Sequence, residues 1–228
     1  MKKFFLFAAM AVFAVTANAQ IVSSSSVHSE SNNYWYVRAG IGINGVSNVD
    51  DSKSKVGYDV EIGHAWMLGT QGAHLDLGLG LASRGYKLES SEEESNTKIT
   101  KKLTAHNLYL APTFGWKIPV ASNITIDPHV GYYLGYDLGG KEKYDISGEY
   151  ADEVKDYLED EGYDLDGTSL GDLDGYKRFD TGFKFGAGVW IKNFNIDFAY
   201  KLGLTKMWDA EEKAPKSHSF EITVAYAF

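Results

Sequence analysis

The group of residues that most resembles a catalytic constellation is Ser217-His218-Ser219, followed by Glu221. Serine, histidine and a carboxylate can together activate a hydroxyl nucleophile for hydrolysis or acyl transfer. The spacing does not suit this chemistry, because the segment alternates like a β-strand and consecutive side chains of a strand point to opposite faces. His218 and Ser219 would therefore point apart. We expect no catalytic site, and a lipid-modifying enzyme is the least favoured alternative.

A second candidate is residues 164–167, Asp-Leu-Asp-Gly, which look like part of a calcium-binding loop. Aligning Gly167 with the invariant glycine of an EF-hand places Gly162 and Leu173 where carboxylates are required, so an EF-hand is excluded. The six histidines also lack the H-E-x-x-H spacing of a zinc site. We therefore expect no metal site and no cofactor, and weak divalent-ion binding by clustered acids stays open.

The N-terminus has the pattern of an export signal. Two lysines precede an apolar run at residues 4–15, and Ala17-Asn18-Ala19 forms a small-x-small cleavage site. An apolar run of this length is too short to span a membrane as a helix. The pattern predicts a secretory signal peptide at residues 1–19.

The remaining chain has the composition of an exported all-β domain. Residues 20–33 are polar and rich in serine, and we interpret them as a flexible periplasmic leader before a single domain at residues 34–228. The chain contains no cysteine, so disulfides cannot stabilise it. Without the signal peptide, 20 basic residues face 31 acidic ones, a net charge of −11 that excludes nucleic acid as a partner.

Eight segments alternate between large apolar and small or polar residues with a period of two, as strands with two different faces do. Connections between them alternate between long and short, as in barrels with long outside loops and short periplasmic turns. The pattern predicts an all-β fold, an eight-stranded antiparallel up-and-down transmembrane β-barrel, with a soluble lipocalin-like barrel as the main competitor. Pro112 and Pro128 fall within strands, where we expect bulges. The segments are residues 35–44, 56–68, 74–82, 107–117, 124–136, 178–191, 196–203 and 217–228.

Strand glycines and charged residues share the small face, so this face is predicted to point into the lumen. An eight-stranded barrel is just wide enough for side chains to fill it. Unpaired buried charge is costly, so the interior charges should pair with one another. The predicted interior polar network consists of Arg38, Asp59, Glu61, Asp76, Arg84, Asp127, His129, Lys184, Asp197, Lys201 and Glu221.

Large aromatic residues fall at one end of the predicted barrel, on its apolar face. Strand direction alternates, so three tryptophans at strand starts and ends share the same rim. Tryptophan gathers where membrane meets water. The predicted interface girdle consists of Trp35, Trp66, Trp116 and Phe228.

The longest predicted outside loop is residues 139–176, which carries 13 acidic residues between Glu142 and Asp174. Loops of this length are usually functional or disordered. Apolar residues at helical spacing predict a short amphipathic helix at residues 149–160, capped by Ser147. The loop is either a solvated acidic cover or a docking surface for a basic protein or for divalent ions that bridge to lipopolysaccharide. The predicted interaction surface consists of Tyr150, Tyr157, Tyr163, Asp164 and Asp166.

The signal peptide, the eight alternating strands and the terminal Phe228 together resemble the small outer-membrane β-barrel proteins of the OmpX-like and PorT-like kind. Gln20, after the cleavage site, is also similar to exported proteins of the Bacteroidota. The resemblance implies a non-enzymatic barrel in the bacterial outer membrane, and some members of these families assist protein secretion. It also implies that the barrel assembly machinery reads the terminal strand.

We expect a monomeric binding or structural surface protein that has a filled lumen and acts through its outside loops. Its expected surroundings are outer-membrane lipid and lipopolysaccharide, with an extracellular or secretion-complex protein as a further partner. A narrow pore or a secretion-associated membrane component is the alternative.

Overall fold

The computed structural model describes residues 33–69, 71–92, 97–165, 167–209 and 214–228. The predicted signal peptide and nearly all of the predicted leader lie outside these ranges. No helix in the described ranges combines the length and the apolar character that a membrane crossing needs.

Strands dominate the described chain, and one short helix lies between the eighth and ninth of them. The alternation of large and small residues gives most strands two unlike faces. The elements are β1 (Tyr34–Ser47), β2 (Ser52–Lys53), β3 (Lys55–Met67), β4 (Ala73–Arg84), β5 (Lys87–Glu92), β6 (Thr97–Trp116), β7 (Ile118–Ala121), β8 (Ile124–Ser147), α1 (Ala151–Asp160), β9 (Thr168–Ser169), β10 (Phe179–Ile191), β11 (Phe194–Gly203) and β12 (Lys216–Ala227).

Eight of these strands close into an antiparallel ring in the order β1, β3, β4, β6, β8, β10, β11, β12 and back to β1. The prediction of an eight-stranded antiparallel barrel is therefore confirmed. At the junction of the first and last strands, Trp35 and Phe228 exchange backbone hydrogen bonds of 3.1 and 2.9 Å. A ring without an open edge satisfies the backbone groups of a segment surrounded by lipid.

The two faces of the barrel differ in size as well as in polarity. Leu77 and Leu79 are exposed on the outer face, whereas Gly78 between them points inward. A Cβ atom on Gly78 would lie 2.5 Å from the carboxylate carbon of Glu61. The inward glycines therefore leave room for long polar side chains from neighbouring strands. We call the barrel end at which β1 begins and β12 ends the terminal end, and the opposite end the loop end.

The strands extend further at the loop end than the sequence predicted. Residues 89–102 fall between the predicted segments 74–82 and 107–117, but they belong largely to β5 and β6, which pair with each other. Residues 139–147 continue β8, and the ladder between β6 and β8 extends to Lys98 and Ser147. The prediction of loops here is wrong, because the ladder hydrogen bonds form without an apolar outer face where that face meets water.

Pro112 and Pro128 lie in the barrel without the bulges that we expected. Pro112 pairs with Leu77 and Pro128 with Ala187, each in unbroken register. The register of the β6–β8 ladder shifts next to His106 instead. Each proline removes one ladder donor, and the neighbouring hydrogen bonds hold the register.

Helix α1 confirms the short helix predicted within the longest loop, although it begins two residues later. Tyr150 occupies the N-cap position without a side-chain hydrogen bond, so the prediction of a Ser147 cap is wrong. Ser147 is instead the last residue of β8. Asp152 and Glu153 lie in the first turn, where negative charge favours the helix dipole.

Buried clusters lie at both ends of the lumen. At the terminal end, the inward rings of Tyr34 and Trp190 pack edge to face with centroids 5.7 Å apart. At the loop end, side chains from the inner sheet face and from the loops pack together. This second cluster consists of Val46, Tyr86, Leu103, Ala105, Leu170 and Met207.

Candidate functional site

The middle of the lumen holds an acid–base network between opposite walls. Lys201 from β11 lies 2.9 Å from Asp59 on β3 and 2.7 Å from Glu221 on β12. Lys184 from β10 lies 3.4 Å from Glu61 and 3.9 Å from Glu221. Each ammonium group therefore faces two carboxylates, which offsets the cost of removing these charges from water.

Arginine and tyrosine side chains complete this middle layer. Arg38 lies 3.6 Å from Glu61 and 3.8 Å from Asp197. The hydroxyl of Tyr109 lies 2.8 Å from Asp59 and 2.9 Å from Glu61. Phenol and guanidinium donors thus satisfy carboxylate oxygens that the lysines leave free.

A second layer lies towards the loop end. Arg84 lies 3.1 Å from Asp137 and 3.7 Å from Asp180. The hydroxyl of Tyr176 donates to Asp137 at 2.5 Å, and the hydroxyl of Tyr133 donates to Asp180 at 3.2 Å. This layer therefore connects the barrel wall with Tyr176, which belongs to the chain beyond the strands.

A third layer lies towards the terminal end. His74 lies 3.5 Å from both Asp76 and Asp127. The indole of Trp190 donates to Asp127 at 2.8 Å. The ammonium group of Lys117 lies 4.3 Å from the ring centre of Trp190, in cation–π geometry.

The structure thus places every residue of the predicted interior network in the lumen. The remaining member, His129, lies 3.6 Å from Asp197. Reasoning from the sequence left several participants out of the network, although all of them share the inward strand parity that could have identified them. These are Tyr36, Tyr109, Lys117, Tyr133, Asp137 and Asp180.

One small cavity lies inside the barrel, and the described residues include no metal-binding arrangement. A cavity of about 30 Å³ lies among inward side chains that include Arg84, Tyr109, Asp180 and Lys201. It has room for only a few water molecules. Within the described part of the chain, no cluster of three or more His, Asp or Glu side chains is arranged to hold a metal ion.

The serine–histidine segment of β12 does not assemble a nucleophile. The hydroxyl of Ser217 lies 3.1 and 3.2 Å from the two carboxylate oxygens of Asp180 in the lumen. The ring of His218 stacks with Tyr200, with centroids 6.2 Å apart, and Ser219 is buried. The alternation of the strand separates these side chains, so Ser217 contacts the lumen network while His218 contacts Tyr200 on the neighbouring strand.

The predicted girdle residues are exposed on the outer face at the terminal end. The rings of Trp35 and Trp66 lie on either side of His64, with centroids 4.9 and 4.5 Å from the imidazole. Trp116 pairs with Ala73 across the next ladder. Phe228 closes the series through its backbone bonds to Trp35.

The loop residues of the predicted interaction surface lie in the chain between β8 and β9, where Tyr163 packs against Tyr144 of β8 with ring centroids 6.0 Å apart. Tyr150, Tyr157 and Tyr163 are 48%, 63% and 50% exposed. The carboxylate of Asp164 accepts a hydrogen bond from the backbone N–H of Gly167 at 3.2 Å. Asp166 lies outside the described residues.

Two carboxylates beyond the barrel bind lysines on opposite faces of the extended sheet. Hydrogen bonds from Lys53 and Lys98 lower the pKa of Glu89 to about 2. On the inner face, Glu142 lies 2.9 Å from Lys101. Burial acts to lower the pKa of Lys101, but the hydrogen bonds and charge interactions with Glu142 and Tyr144 together outweigh it, so this pKa is raised.

Comparison with known proteins agrees with this geometry. The profile of the family described as outer membrane protein beta-barrel domain matches residues 18–209. No curated protein matches the chain in sequence.

Several solved structures are similar in fold. The attachment invasion locus protein Ail of Yersinia pestis, in complex with the heparin analogue sucrose octasulfate, is 16% identical with a TM-score of 0.41, over 86% of this chain and 99% of that one. Neisserial surface protein A is 14% identical with a TM-score of 0.39, over 85% and 97%. A major outer membrane protein of Thermus thermophilus is 12% identical with a TM-score of 0.42, over 86% and 99%.

The family match covers most of the sequence, and the closed ring of strands is a β-barrel, as the description of the family states. The chain belongs to the outer membrane protein beta-barrel domain family, and it is a barrel of the bacterial outer membrane.

Proposed function

We propose that this protein is a monomeric, non-conducting barrel that acts as a binding protein at the bacterial surface through its loop end. The observation that carries the proposal is a contrast in placement. The lumen side chains are buried against one another, whereas Tyr150, Tyr157 and Tyr163 are exposed in the loop between β8 and β9.

The lumen geometry supports the non-conducting part of the proposal. Lys184 and Lys201 each face two carboxylates, and Arg84 faces two more in the next layer. A conducting path would need a continuous column of water through these layers. An eight-stranded barrel has just enough width for side chains to fill that space.

The proposed orientation places the loop end outside the cell and both chain ends in the periplasm. The longer connections lie at the loop end, as in outer-membrane barrels in general. We further propose that residues 1–19 direct export, that the barrel assembly machinery reads β12, and that the protein is of the OmpX-like or PorT-like kind from the Bacteroidota.

The loop tip has the composition of a docking surface for a basic partner. Tyrosine is among the residues that contribute most to interface affinity. Acidic side chains on α1 would steer a positively charged protein towards them. Among the residues of α1, Lys155 is the basic one, and its acidic residues are Asp152, Glu153, Asp156, Glu159 and Asp160.

A photo-cross-linking residue placed at Tyr157 in native outer membranes tests the binding role. Position 192, in the turn at the terminal end, provides the matched control. We expect a discrete protein adduct from position 157 that is lost when Tyr150 and Tyr163 become serine. No adduct at position 157, or the same adduct from both positions, would contradict the binding role.

The replaced segment must be chosen with care in any loop deletion. Leu170 is buried in the cluster at the loop end, and Thr168 pairs with Glu142 on β8. Replacing residues 149–165 by a short Gly-Ser linker keeps both contacts. We expect this variant to fold like the intact barrel and to lose the adduct of the intact loop.

A further inference from the structure

The two lysines in the middle of the lumen differ in how closely they approach their carboxylates. The Nζ atom of Lys201 lies 2.9 Å from Oδ2 of Asp59 and 2.7 Å from Oε1 of Glu221. The Nζ atom of Lys184 lies 3.4 Å from Glu61 and 3.9 Å from Glu221. Reacting groups that a fold holds in contact react far faster than the same groups in solution. Lys201 is therefore the lysine that is placed to react with a neighbouring carboxyl group.

The three groups around Lys201 are shielded from water. Asp59, Glu221 and Lys201 are 1%, 3% and 7% exposed. The ring centre of Tyr109 lies 3.6 Å from the Nζ atom of Lys201 and covers it on one side. Water normally prevents an amine and a carboxylic acid from condensing, because it stabilises their charged forms. In the lumen two charges have been removed from water at a cost, and condensation would eliminate both of them.

Tyr109 gives the two oxygens of Asp59 different surroundings. Its hydroxyl lies 2.8 Å from Oδ1 of Asp59, whereas Oδ2 faces the Nζ atom of Lys201. A hydroxyl that donates to a carbonyl oxygen stabilises the negative charge that develops there when a nucleophile attacks the carbon. This arrangement favours Oδ1 as the oxygen that is kept and Oδ2 as the oxygen that leaves.

We propose that Lys201 and Asp59 condense to an isopeptide bond that crosses the lumen from β11 to β3, with Glu221 as the general acid–base catalyst. The lysine first passes a proton to Oδ2 of Asp59, and its neutral nitrogen then attacks Cγ, so that the C–N bond forms. Glu221 takes a second proton from this nitrogen and delivers it to Oδ2. The C–O bond breaks and Oδ2 leaves as water. One ammonium and one carboxylate thus become one amide and one water molecule, and Glu221 returns to its carboxylate form.

The surroundings of the three residues accommodate both products. The cavity of about 30 Å³ is lined by Lys201, Glu221 and Tyr109 and has room for the released water. Lys184 stays near Glu221 as a cation after the charge of Lys201 has been lost. The freshly folded barrel holds the ion pair, and the amide replaces it with time. The inference does not depend on the binding role of the loops.

The bond would close a large loop of the chain. Asp59 and Lys201 are separated by 142 positions in the sequence. A covalent link between such distant residues restricts the unfolded chain and stabilises the folded barrel. The matured barrel should therefore unfold at a higher urea concentration than the freshly folded one.

Mass spectrometry of the full barrel, refolded in phosphatidylcholine vesicles and sampled over several days at neutral pH, tests the proposal. We expect the intact mass to fall by about 18 Da, because each bond releases one water molecule. Trypsin should then yield residues 56–84 joined to residues 193–206, since acylated Lys201 is no longer cleaved. Chain kept unfolded in urea for the same time provides the reference and should keep its full mass.

Three variants separate the reaction from a structural effect, with circular dichroism to verify that each barrel has folded. Lys201→Arg keeps the positive charge but lacks the nucleophilic amine, so it should keep its full mass. Glu221→Gln should slow the loss of water by about 100-fold, because it removes the proton carrier. Glu61→Gln is the matched control. It removes another carboxylate of the same layer, which lies near Lys184 and Arg38, and it should lose water at least as fast as the intact barrel.

An intact barrel that keeps its full mass throughout would overturn the proposal, and this result does not depend on any variant. Loss of water without the joined peptide, for example by ring closure at Asp174-Gly175, would also overturn it. Equal slowing by Glu221→Gln and Glu61→Gln would remove the catalytic role of Glu221.

Discussion

Lysine has two opposite kinds of surroundings in this barrel. In the lumen, Lys184 and Lys201 each lie between two carboxylates and are almost fully buried. On the outer face beyond the apolar band, Lys87 and Lys143 lie next to other lysines. A buried charge needs a partner within reach, whereas a charge in contact with solvent or headgroups does not. The lumen lysines therefore pair with carboxylates of the same chain, whereas these outer-face lysines are left to interact with the surroundings of the barrel.

The largest effect should come from breaking the lumen side of this comparison. Lys201→Met leaves Asp59 and Glu221 buried without their shared cation. We expect a loss of about 3–5 kcal/mol in the free energy of unfolding, measured by urea titration in phosphatidylcholine vesicles. Lys143→Met provides the matched control, and it should change the free energy by no more than about 0.5 kcal/mol. Equal losses in the two variants would remove the contrast between lumen and outer face.

A basic residue moved down the outer face should show where the lipid band lies. Leu79 is exposed on the outer face of β4, among other outward leucines such as Leu77 and Leu110. Leu79→Arg should cost about 2–4 kcal/mol of folding free energy in vesicles, because it places a charge within the hydrocarbon. Ser54→Arg, between Lys53 and Lys55, should leave the folding free energy almost unchanged. A harmless Leu79→Arg would show that the assignment of the outer face to lipid is wrong.

The smallest effect concerns Glu89, the outer-face carboxylate that Lys53 and Lys98 contact. Hydrogen bonds from Lys53 and Lys98 hold the pKa of Glu89 at about 2, below the usual value of 4.5. A lowered folded-state pKa contributes stability that is complete above pH 4.5 and is lost as the pH falls towards 2. Amide hydrogen exchange in β5 should therefore accelerate across this window.

Glu89→Gln controls for this acid effect, because glutamine does not titrate. Its exchange rates in β5, corrected for intrinsic chemistry, should be flat between pH 4.5 and 2. The same acid dependence in both proteins would assign the change to other groups.

Strand parity made much of the barrel and its interior predictable. A period of two over eight segments fixes which face is inward once the glycines and charges of a segment share one side, as Gly78 and Asp76 do on β4. The predicted network residues therefore occupy the lumen. Parity also predicted that Trp66 and Trp116 point outward. They share one rim because both lie at the ends of strands that run in the same direction.

The parts that escaped prediction depend on register and on the environment beyond the membrane. The extension of β6 to Thr97 was hidden because every second residue from Lys98 to Thr104 is polar, so the outer face has no apolar pattern where water replaces lipid. Lysines such as Lys87 and Lys102 lie side by side because their strands pair in this register. A single sequence does not reveal how far one strand is staggered against the next. The Ser147 cap failed for the same reason, since the β8 ladder extends through that residue.

Ion conductance across a planar bilayer measures directly whether paired charges close the lumen to ions, as we propose. The intact barrel, reconstituted at single-molecule density beside an open porin as a detection control, should give no stable current steps. Arg84, Lys184 and Lys201 reach carboxylates of other strands, and the cavity beside Arg84 and Lys201 has room for only a few water molecules. Large, stable steps from the intact barrel would contradict the closed lumen and would favour the narrow pore instead.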